Sequence, residues 1–107
     1  MNIGEFIDVM KVGQRDFDPQ ELANAMRKGA FWTLASWGAK DFSKHKDLWL
    51  RFRVSGLKFK GLVYITLAWN DTFTLYFVSS RGTIKEKMEE VYIDELIRRI
   101  DKFVETN

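Results

Sequence analysis

At 107 residues, 46% of them hydrophobic and 30% charged, residues 1–107 make one domain with a single core that buries roughly 60–70% of its unfolded surface. The absence of cysteine excludes disulfides, thiolate nucleophiles and zinc–cysteine sites, and no apolar run reaches the ~18 residues needed to cross a bilayer. The net charge of +2 is unevenly spread: residues 40–60 hold seven cations (Lys40, Lys44, Lys46, Arg51, Arg53, Lys58 and Lys60) against Asp41 and Asp47. That local excess suits either a solvated strand face or an acidic partner.

Apolar residues at Ile3, Phe6, Ile7 and Met10 predict a helix from Asn2 to about Lys11 with one buried stripe. Glu5 and Asp8 in this segment argue against a signal peptide, and a cytoplasmic protein is expected. A second helix should begin after Asp18, with Pro19 at its first position and Leu22, Ala23 and Met26 facing inward, and end near Lys28-Gly29. Phe31 to Trp37, apolar on both sides, reads as a strand; Gly38 to Asp47 reads as a charged loop.

From Leu48 to Val78 the chain alternates with period two. Leu48, Leu50, Phe52 and Val54 fall on one face, and Trp49, Arg51 and Arg53 on the other. A Gly56-Leu57 turn of type II′ would set Val54 against Phe59, Leu50 against Val63 and Leu48 against Ile65. It would also set Trp49 beside Tyr64 and Arg53 beside Lys60, a like-charge pair that destabilises by roughly 0.2–1 kcal/mol. Val63, Ile65 and Leu67 share a face with Phe73, Leu75 and Phe77 only across an odd loop, expected at Asn70-Asp71-Thr72. Tyr64, Thr66, Thr74 and Tyr76 then join the arginines on the outer face.

Thr83 to about Glu90 is read as a fifth strand, although Ile84, Met88, Val91 and Tyr92 also fit one long helix from Thr83. Ile93, Leu96, Ile97, Ile100, Phe103 and Val104 define the C-terminal helix. The fold class is α+β: an antiparallel four- to five-stranded sheet, with two N-terminal helices and one C-terminal helix packed on one face.

Catalytic machinery is scarce. His45, the one histidine, sits between Lys44 and Lys46 with only Asp47 close in sequence, and reads as a solvated loop residue. The pairs Glu89-Glu90 and Asp94-Glu95 read as surface charge, and neither metal-ligand spacing nor a phosphate-binding glycine loop is present. No catalytic residue, metal or cofactor is expected. Trp49, Tyr64 and Tyr76 are candidate stacking platforms, with Arg51, Arg53, Lys58 and Lys60 as contacts to phosphates or carboxylates.

The motifs Ser36-Trp37-Gly38-Ala39, Leu50 through Gly56, Lys60 through Ile65 and Val91 through Leu96 resemble a group of small uncharacterised bacterial proteins of prophages and other mobile elements. The resemblance covers about residues 30 to 105 and implies a cytoplasmic accessory protein, with no activity or site residue attached. The expected function is a non-catalytic binding module using its basic-aromatic sheet face against nucleic acid or another acidic partner. The alternative is a protein-interaction or homodimerising protein with the same aromatics in its seam.

Overall fold

The computed structural model describes residues 14–15, 17–45 and 48–105. The expected helix over Asn2–Lys11 lies outside the described residues. A short strand β1 (Gln14–Arg15) precedes helices α1 (Pro19–Gly29) and α2 (Phe31–Ser36). Strands β2 (Lys40–His45), β3 (Trp49–Ser55), β4 (Lys60–Ala68), β5 (Phe73–Val78) and β6 (Ile84–Val91) follow, and a 3₁₀ turn at Ile93–Glu95 leads into α3 (Leu96–Glu105). The antiparallel sheet runs β2-β3-β4-β5-β6, and β1 pairs with β4 off that path.

Helix α1 starts where its sequence says it should. The Asp18 carboxylate accepts N–H bonds from Gln20 and Glu21 at 3.0 and 3.1 Å, and Pro19 opens the first turn. Leu22, Ala23 and Met26 turn inward.

Phe31 to Trp37 is not the expected strand but helix α2 and its cap. Leu34 and Trp37, three apart, are the buried pair, while Phe31 and Trp32 are exposed. A short run apolar on both sides satisfies either period, so alternation could not decide it. The deciding signal is Gly38, whose φ of +63° permits the left-handed cap. Its N–H donates to the Ala35 carbonyl, and the Ala39 N–H donates to Leu34, both at 3.0 Å: the paired bonds of a glycine-terminated helix.

The expected loop from Gly38 to Asp47 instead holds strand β2, which takes His45 into the sheet backbone opposite Trp49. Charge misled the reading because β2 is an edge strand, where Lys and Asp are tolerated. Its inward residue is Phe42, stacked 5.0 Å from Phe52.

The β3–β4 turn sits one residue later than expected. Gly56 N–H donates to the Phe59 carbonyl at 3.0 Å, leaving Leu57-Lys58 at the tip, so each partner moves by two residues. Leu50 pairs with Ile65, Phe52 with Val63 and Val54 with Gly61. Arg53 lies opposite Leu62 and Lys60 opposite Ser55, so the expected Arg53–Lys60 repulsion does not exist. A shift of two preserves both faces.

The β4–β5 loop is odd, as parity requires, but spans Trp69-Asn70-Asp71, closed by Ala68 N–H to the Thr72 carbonyl at 2.8 Å. Asp71 takes the left-handed conformation at φ +66°. Ile84–Val91 is a strand, as expected, with register shifts at both ends.

The inner face of the sheet packs Leu50, Phe52, Val54, Val63, Ile65, Leu75 and Phe77 against residues of α1, α2 and α3 in one core. Phe52 stacks on Trp37 at 6.4 Å, and the Trp37 indole N–H donates to Asp101 of α3 at 2.8 Å. The end of α3 is held by the β3–β4 turn: the Val104 carbonyl accepts from Lys58 and Phe59 N–H at 2.8 and 3.2 Å.

Candidate functional site

The outer face is built by the same alternation that fills the core. Tyr64 of β4 lies directly opposite Tyr76 of β5, and Arg51 of β3 directly opposite Tyr64. Tyr64, Tyr76 and Val78 form a second, smaller apolar cluster with Trp49, Leu62 and Ile84 packed around it. Sequence reasoning put Trp49, Tyr64 and Tyr76 on one face, without Leu62, Val78 or Ile84, and misjudged the accessibility of the two tyrosines. Tyr64 is 2% and Tyr76 3% exposed, and Thr66 and Thr74 beside them are buried too, so neither tyrosine offers an open ring face for stacking. Burial also raises the Tyr76 pKa, an effect offset in part by the Lys87 ammonium 5.6 Å above its ring.

The basic residues divide. Trp49 is half-buried, its ring centroid 5.2 Å from that of Tyr64 and nearly edge-on at 71°. The Arg51 guanidinium carbon stands 5.6 Å from the Trp49 ring centroid. Arg53 meets Asp41 at 3.5 Å, both side chains well exposed, so this pair contributes little. That contact is placed by a bulge: the β2–β3 register shifts between Lys40 and Ser43, and Asp41 takes φ +56° there. Lys60 is exposed at the start of β4. Lys58 does not join this face; it sits in the β3–β4 turn and borders a cleft beside α3.

Two features were not legible in the sequence. Arg51 Nε is sealed from solvent yet has no hydrogen-bond partner among the described residues, which is uncommon for a charged donor. Arg51 also lines a hollow of about 280 Å³ with Leu62, Tyr64 and the β5–β6 turn residues Ser79, Ser80 and Arg81. Arg81 reaches the site through the sheet register, with Val78 opposite Leu62, and local spacing carries no such signal.

The site presents hydrogen-bond donors and positive charge to an anion of phosphate or carboxylate size. Its described lining residues include no acid–base pair. Among the described residues, no group of three or more His, Asp or Glu side chains is placed to hold a metal ion. Glu89 is bonded to Lys87 at 2.9 Å. Glu95 accepts the Tyr92 N–H at 3.1 Å and contacts Arg98 and Arg99.

No known family model, no curated protein and no solved structure matches the chain. The comparisons therefore lend no support to the expected resemblance to mobile-element proteins, and the functional reading rests on the site itself.

Proposed function

We propose that the protein is a non-catalytic binding module whose outer sheet face engages a single-stranded nucleic acid through its phosphates. The observation that supports this most is the convergence of Arg51 and Arg81 with Ser79 and Ser80 around one hollow. A phosphate oxygen seated there would accept charge-assisted bonds from the two guanidinium groups. Arg53 and Lys60 extend the positive charge along the same face. With Tyr64 and Tyr76 buried, these rings set the position of Arg51 and leave base stacking, at most, to the exposed part of Trp49. Recognition is then of backbone charge, with little preference for sequence. In this reading the protein works in the cytoplasm as an accessory of a mobile element.

The test is fluorescence anisotropy with labelled mixed-sequence single-stranded DNA and RNA. Arg51→Glu and Arg81→Glu should each weaken binding at least tenfold, while Tyr64→Phe leaves it unchanged. Unaltered affinity in both charge-reversal variants contradicts the proposal.

A second reading, association with protein or with another copy of the chain, is favoured by one observation. Phe31 and Trp32 pack edge-to-face at 5.2 Å and remain 59% and 82% exposed. The aromatic anchor of that reading moves from Trp49 and Tyr64 to α2. A dimer in light scattering that Trp32→Ala dissociates would support it.

A further inference from the structure

A second group of cations borders a separate cleft that shares no lining residue with the Arg51 hollow. This cleft, of about 820 Å³, lies between α3, β6 and the β3–β4 turn, within the range of small-molecule sites. Its apolar surface comes from Met88 of β6 and Phe103 of α3. Around that surface stand Lys58, Arg98, Arg99 and Lys102, with Glu95 the one carboxylate among the lining residues. Glu95 is itself engaged by the Tyr92 N–H and both arginines.

The cations come from two separate elements. Arg98, Arg99 and Lys102 lie along α3, whereas Lys58 is carried to the cleft by its backbone N–H bond to the Val104 carbonyl at 2.8 Å. Solubility asks for charges at a surface but not for their convergence around an apolar surface. We infer that this cleft binds an anionic amphiphile, an apolar chain or ring bearing a carboxylate or phosphate. The apolar body would rest on Met88 and Phe103 with the head group among Lys58, Arg98 and Lys102. Charge complementarity selects this occupant: four cations against one carboxylate leave the described lining positive, which a neutral apolar ligand would not match, and a small inorganic anion would leave the apolar surface bare.

The inference is independent of the nucleic-acid reading, since none of these residues lines the Arg51 hollow. Its test is titration of the isotope-labelled full chain with decanoate, decanol and acetate, followed by NMR. Saturable shifts at Met88 and Phe103 are expected with decanoate, and affinity at least tenfold weaker for the other two. Lys58→Glu should weaken decanoate binding at least fivefold; its side chain is exposed and its structural bond is made by the backbone, so the fold is preserved. Arg98→Glu is the second variant, acting from the facing element. Vesicles of phosphatidylglycerol separate the two sources of such a head group: Lys58-dependent retention assigns a lipid in a bilayer, and free decanoate binding without retention assigns a soluble amphiphile. Failure of decanoate to saturate, equal binding of decanol, or indifference to both variants overturns the inference.

Discussion

Arg51 and Phe52 are neighbours in β3 with opposite roles, and the difference is measurable. Phe52 is fully buried between Trp37 and Phe42. Phe52→Ala should therefore lower unfolding free energy by about 3–5 kcal/mol, the usual cost of truncating a large core ring. Arg51→Ala should cost no more than about 1 kcal/mol, the worth of its contact with Trp49. Urea denaturation of the two variants checks this, and similar costs would mean the faces are assigned the wrong way round. Glu95 gives a prediction in pH. The Tyr92 N–H, aided by Arg99 and Arg98, holds its carboxyl below the ordinary 4.5. A carboxyl depressed on folding stabilises the folded state above its unfolded value, and that contribution is lost as pH falls through the lowered one. Glu95→Gln should thus be less stable than the parent at pH 6, with the gap narrowing as pH falls below 4.5, both measured by urea midpoint.

At the scale of elements, the junction between α3 and the β3–β4 turn rests on Gly56. A Cβ at this position would lie 2.6 Å from the Val104 carbonyl oxygen and collide with the Val104 side chain. The glycine was read as supplying a left-handed turn, but the positive-φ glycines among the described residues are Gly38 and Gly82. Gly56 is needed for close approach. Gly56→Ala should destabilise by about 1–3 kcal/mol, as overpacking does, and should broaden or shift the resonances of α3. The same junction explains what was legible. Alternation from Leu48 to Val78 reports faces, and both faces were assigned correctly because turn errors of one residue move partners by two. Alternation does not report register, which depends on where Gly56 meets Val104, a contact between residues 48 apart. Nor does it separate helix from strand over Phe31–Trp37, where the Gly38 cap decides.

For the whole molecule, the two outer strands of the described sheet, β2 and β6, are both rich in Lys, Asp or Glu, and both carry register shifts. Charged, bulged edges resist addition of another strand. Faces and clefts are then better suited than these edges to contact with any partner, and among the described residues no helix is long and apolar enough to cross a membrane. What sequence could not show is that Tyr64 and Tyr76 are buried while Arg51 and Arg81 gather around one hollow, since both depend on contacts between residues far apart in the chain. The most direct test is the salt dependence of single-stranded nucleic-acid binding by the parent chain and by Arg51→Glu. If three to four phosphates are neutralised, log K against log salt should fall with a slope between about −2 and −3, and be shallower in the variant. A flat salt dependence, or the same slope in both proteins, would contradict the account.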